Sequence, residues 1–139
     1  MADIRFDTGV KQYNLNGAVT VSFCPTDMTF IERFYNALES LDKRQEKYRS
    51  MIDGISNAEV FDVAKRFDAE CRADINAIFG TDICTPLFGT TSITAIADGL
   101  PLWTNLMLAL LDELDGTFAE EQKRTNPRLQ KYTEKYKRK

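Results

Sequence analysis

The chain has 139 residues, 43% hydrophobic and 28% charged, with a formal net charge of −3. That length suits one domain, which buries roughly two thirds of its unfolded surface, and the composition is that of an ordinary globular protein rather than a disordered one. With no histidine, Ser-His-Asp and Cys-His catalysis are excluded, as is the commonest metal ligand.

Cys24, Cys71 and Cys84 are odd in number and far apart, with no C-x-x-C pair. They predict free thiols in a reducing, intracellular setting rather than a disulfide framework or a zinc site. Met1-Ala2-Asp3-Ile4-Arg5 lacks the apolar core of a signal peptide, and Leu106 to Leu111 is the longest apolar stretch, too short to span a bilayer. A cytosolic location is expected. Charge is unevenly spread: Lys123 to Lys139 holds eight Lys/Arg and one acid, against ten Lys/Arg and twenty acids elsewhere. The pattern is an acidic body with a basic tail.

In chain order, the first 24 residues read as strand. Ile4 and Phe6, then Tyr13 and Leu15, then Val19, Val21 and Phe23 alternate with polar neighbours. Asp7-Thr8-Gly9 predicts a turn, and Asn16-Gly17 a tight hairpin turn with positive φ. Thr26, Asp27 and Thr29 then offer N-cap oxygens, and Thr29 with Glu32 makes a capping box, for a long helix with Phe30, Ile31, Phe34, Tyr35, Leu38 and Leu41 on one face. Asp42 to Arg49 is nearly all charged and is expected to project into solvent or against a partner, before Met51, Ile52 and Ile55 return to the core.

Gly54 ends that helix, and Ser56 with Glu59 caps a second one running to about Phe79, with Val60, Ala64, Phe67, Cys71, Ile75 and Ile78 at helical spacing. Gly80 is the expected stop. Thr81 to Thr94 reads as loop, anchored by Ile83, Leu87 and Phe88. Ile93 to Ala97 suggests a short helix ended by Asp98-Gly99. Pro101 suits the first turn of a final helix bearing Leu102, Trp103, Leu106, Met107, Leu110, Leu111, Leu114 and Phe118. Asn126-Pro127 ends it.

The expected fold is α+β: an N-terminal antiparallel β-hairpin of two or three strands packed on a bundle of three to four helices, with a basic helical or disordered C-terminal tail. It forms a single domain over residues 1–124, divided into a hairpin region (1–24) and a helical region (29–124). Residues 125–139 form the tail.

Nothing in the sequence spells out a reaction. Asp68, Glu70 and Asp74 on the second helix, and Asp112, Glu113 and Asp115 on the last, lack the Glu-x-x-His partner of di-metal bundles and read as solvated faces. No phosphate-binding or dinucleotide-binding glycine motif is present. No catalytic residue, metal ligand or cofactor is therefore expected. The candidate partner-binding residues lie on the tail: Leu129, Tyr132 and Tyr136 as an apolar stripe at helical spacing, with Lys131, Lys135, Lys137 and Arg138 around them. Such an arm would order on contact with an acidic protein surface, sit in solvent, or bind nucleic-acid phosphates.

Several segments taken together carry a resemblance. They are Phe6-Asp7-x-Gly9-Val10 with Asn16-Gly17, then Val21 to Asp27, Ile78-Phe79-Gly80, Pro86-Leu87-Phe88-Gly89, Asp98-Gly99-Leu100-Pro101-Leu102, and Lys131-Tyr132-Thr133-x-x-Tyr136. In these the chain resembles small tail-region proteins of phages and prophages of Gram-positive bacteria, commonly labelled tail assembly chaperones. Cys24 departs from the pattern, where Asn is expected. The resemblance implies a non-enzymatic factor that binds other phage tail proteins, the tape measure protein or the tail tube protein. It implies no catalytic residues. Self-association into a homo-oligomer stays open, a membrane role is not expected, and nucleic acid is the weaker alternative partner. The rival readings are a structural subunit retained in the phage particle, ring-like or connector-like, and a nucleic-acid-binding regulator using the basic tail.

Overall fold

Alternation of apolar and polar residues around Asn16-Gly17 produces a β-hairpin in the computed structural model, which describes residues 1–124. Strands β1 (Lys11–Leu15) and β2 (Val19–Phe23) pair antiparallel, with Tyr13 opposite Val21 and Leu15 opposite Val19. Asn16 and Gly17 both take positive φ, 53° and 71°, and the Ala18 N–H closes the turn onto the Leu15 carbonyl at 2.9 Å. That mirror-image turn matches the right-handed twist of the strands. Ile4 and Phe6 do not join the sheet: residues 1–10 carry no regular structure, and the hairpin has two strands. Their alternation fits a strand, but no partner strand comes alongside. The Asp7-Thr8-Gly9 turn does form, with the Gly9 N–H donated to Asp7 Oδ1 at 2.8 Å.

A two-stranded hairpin is marginal alone, and here aromatic rings fix it to the helices. Tyr13 stacks on Phe23 (centroids 4.5 Å apart), Phe23 stacks on Phe30 (4.2 Å), and Phe79 tilts against both Phe23 and Phe30.

Helix α1 (Met28–Ile52) is capped by Asp27, one of the three residues offered, whose Oδ1 takes the Thr29 N–H at 3.0 Å; the cap therefore sits two residues before the Thr29 of the capping box. It runs unbroken through the charged stretch. Ser56 caps α2 (Asn57–Phe79) through the Glu59 N–H, and Gly80 ends it at φ 70°, as read from the sequence. Residues expected to be loop include a short helix α3 (Cys84–Phe88). The short helix expected at Ile93–Ala97 is absent. Instead β3 (Ile96–Ala97) pairs with β4 (Leu100–Pro101) around Asp98 and Gly99, both at positive φ, a backbone no helix adopts. Helix α4 (Leu102–Lys123) follows, with Pro101 one residue outside it in the capping position. Its first donors find loop carbonyls: the Leu102 N–H goes to Ala95 O and the Trp103 N–H to Ile93 O. The stop expected at Asn126-Pro127 lies outside the described residues.

The fold is thus α+β, a two-stranded hairpin against four helices. One core joins Val21 and Phe23 with Phe30, Phe34 and Leu41 of α1, Phe67, Cys71, Ile75 and Ile78 of α2, and Trp103, Met107, Leu110 and Leu114 of α4. No residue between Leu41 and Phe67 is buried. Met51 is exposed and Ile52 and Ile55 only half-buried, so these three do not return to the core as expected; the core has ended before the helices do. The far ends of α1 and α2 project about 16 Å beyond Leu41, counting eleven residues of helix.

Truncation inside the core and on the projection should therefore differ sharply. Phe34→Ala removes a fully buried ring and is expected to destabilise by about 3–5 kcal/mol. Phe61→Ala, on the projection, should stay within about 0.5 kcal/mol of wild type. Urea unfolding followed by circular dichroism measures both.

Candidate functional site

Helix α1 turns from apolar to charged at Asp42, but Tyr48 and Met51 stay on the side facing α2. There Tyr48 stacks on Phe67 at 4.7 Å, the last ring pair before the tip. Between the two helices runs a groove of about 110 Å³ with Tyr48, Met51, Val63 and Phe67 as its apolar floor and Arg44, Lys47, Arg66 and Glu70 around it. This is smaller than the roughly 300–1,000 Å³ of small-molecule pockets, and it has room for one large side chain. Phe61 nearby in sequence is 66% exposed.

Arg44 sets the spacing of the two helices. Its Nε meets Asp74 Oδ2 at 2.7 Å and its Nη1 meets Glu70 Oε2 at 2.9 Å, while Ser40 donates to the same Asp74 oxygen at 2.8 Å. Two carboxylates thus draw on one guanidinium, and the hydrogen bond that Arg44 donates to Asp74 is the main reason it holds its proton still more tightly than usual. Lys47 and Arg66 are in no ion pair among the described residues. Residues 42–66 carry six Lys/Arg and five acids, whereas residues 1–41 and 67–122 together carry four against fifteen. The groove is a locally cationic site on an acidic protein.

Of the other carboxylates singled out by sequence, Asp68 and Glu113 have structural partners. Asp68 accepts the Ile93 N–H (2.8 Å) and the Arg72 Nε (3.0 Å), Arg72 Nη2 reaches Thr91 O (2.7 Å), and Asn76 Oδ1 accepts the N–H groups of Ile83 and Cys84. Asp68, Arg72 and Asn76 are four residues apart and form one polar face of α2 that holds residues 83–93. Glu113 accepts from the Tyr13 and Thr117 hydroxyls at 2.8 and 3.0 Å, which ties the hairpin to α4. Asp112 and Asp115 do face solvent. Among the described residues no group of three or more His, Cys, Asp or Glu is placed to hold a metal ion, and no helix is long and apolar enough to cross a membrane.

A wider cleft of about 840 Å³ lies between residues 7–11, residues 24–26 and the end of α4. Of its charged groups, Asp7 bonds Gly9 and Arg124 bonds Glu121, while Lys11 is in no ion pair among the described residues. The tail residues proposed from sequence as partner-binding, Leu129, Lys131, Tyr132, Lys135, Tyr136, Lys137 and Arg138, lie outside the described residues. The groove was not singled out by sequence. Its one local signal is Tyr48 inside the charged run of α1, with Met51 three residues on, just past the run.

No family model, curated protein or solved structure matches the chain.

The three cysteines are free. Burial pushes the thiols of Cys71 and Cys84 up to about 12, which keeps them protonated and unreactive. The Tyr13 phenol is pushed to about 12, first by burial and then by its bond to Glu113. A raised acid favours the folded state only while the unfolded chain is also protonated. These contributions are therefore complete below about pH 9 and are lost as pH rises toward 12. The urea midpoint should hold from pH 7 to 9 and fall above it, less steeply in Tyr13→Phe. In a thiol-reagent titration of the native protein, Cys24 should react first, and Cys71 and Cys84 only on unfolding.

Proposed function

We propose that this protein is a non-enzymatic binding factor in phage tail assembly, a chaperone that holds the tape measure protein through the α1–α2 groove. The observation that supports the reading is the projecting pair of helices. It carries unburied apolar side chains, and its Lys47, Arg49, Lys65 and Arg66 are in no ion pair among the described residues. A cleft between two helices suits an amphipathic helix that places one apolar anchor on the Tyr48–Phe67 floor and acidic residues beside Lys47 and Arg66. Long apolar helices of a tape measure protein, covered before tube protein polymerises round them, are clients of that kind. The phage context comes from the sequence resemblance.

Co-expression with the neighbouring tail genes, followed by pull-down, tests the reading. Wild-type protein should retain the tape measure protein, and Met51→Glu and Val63→Glu should each reduce capture at least tenfold while leaving the unfolding midpoint near wild type. Equal capture by all three would remove the groove from the proposal. Finding the protein in stoichiometric amounts in purified particles would favour a retained structural subunit over a chaperone.

A further inference from the structure

The segment before β1 is unusually apolar for unpaired backbone. Ile4 is 90% exposed and Phe6 76%, and neither packs on the core. Lying two residues apart, they would share one side of the segment once it is held extended. Asp3 and Asp7 flank them.

We propose that residues 3–7 of one copy dock in the α1–α2 groove of a second copy. Size fits first: the groove takes a single large side chain, and Phe6 would seat its ring beside the Tyr48–Phe67 pair while Ile4 covers Met51. Charge fits next. Asp3 and Asp7, two acids with Arg5 between them, carry the charge opposite to Lys47 and Arg66, and outside residues 42–66 the chain up to residue 122 is acidic, with four Lys/Arg against fifteen acids.

The contact is intermolecular by geometry. Gly9 packs against Cys24, so closely that a Cβ on it would come within 3.0 Å of the Cys24 sulfur, and Cys24 lies just before α1. Tyr48 is twenty helical residues beyond Met28, about 30 Å. From Gly9, Phe6 reaches about 10 Å and Ile4 about 17 Å at full extension. Neither reaches the groove of its own chain. Mutual exchange of the segment between two copies gives a closed pair; one-way exchange gives a chain of copies. This inference rests on the groove being a protein-binding surface, as the client reading does, but is measured without any client, so either can fail alone.

Sedimentation equilibrium of the full chain across a hundredfold concentration range tests it. Wild type should self-associate, more weakly at higher salt. The Ile4→Asp/Phe6→Asp double variant, altered only at exposed positions, should associate at least tenfold more weakly, and so should Val63→Glu. Mixing the two variants should restore association, because one supplies an intact segment and the other an intact groove. A wild-type monomer at every concentration overturns the proposal. So does association that survives both variants, or association lost only when residues 125–139 are removed, which would assign the contact to the basic tail.

Discussion

The packing of α1 against α2 depends on where its apolar contacts stop. Phe34, Ala37 and Leu41 on one helix, and Phe67, Cys71, Ile75 and Ile78 on the other, are drawn out of water together with α4 and the hairpin. Beyond Leu41 neither α4 nor the hairpin is there to complete a core. The two helices continue with only each other for cover. What holds them is one ring pair and one shared guanidinium, Tyr48 on Phe67 and Arg44 between Asp74 and Glu70. Partly exposed ion pairs contribute little net stability, so the projection draws its order from the packed half below it. A rigid base and an uncovered tip follow from the same arrangement.

The hairpin supplies that rigidity at the opposite end. Its buried face reaches α1 and α2 through Phe23, and α4 through the Tyr13 hydroxyl on Glu113. Each link joins elements far apart in sequence. The base is therefore fixed from three sides, and α1 leaves it in a set direction. This is what separates residues 3–7 from the groove on the same chain by more than their own reach.

Features fixed by neighbouring residues were legible in the sequence. Asn16-Gly17 forces its turn, Ser56 and Glu59 start α2, and Gly80 stops it, because each depends on a backbone angle or a bond within four residues. The α+β class followed from the change of period at Pro25. What failed was non-local. The alternation at Ile4 and Phe6 names a face but not a partner strand. Helical spacing at Met51 and Ile55 continues whether or not a core lies opposite. The period of Ile93 to Ala97 gave way to Asp98 and Gly99, whose positive φ turns the chain back on itself. The groove was hidden for the same reason: Tyr48 and Met51 acquire a floor only when Val63 and Phe67 come beside them from another helix.

Asp68, Arg72 and Asn76 give α2 a second role. Their side chains bond the backbone of residues 83, 84, 91 and 93, a stretch whose internal backbone bonds, such as Leu87 N–H to Ile83 O and Thr91 N–H to Phe88 O, are all short-range. The loop is thereby templated on the helix, and its amides at Ile83, Cys84 and Ile93 belong to the same cooperative unit as α2. Solvent exchange at those three amides would report the opening of a 23-residue helix rather than the breathing of a loop.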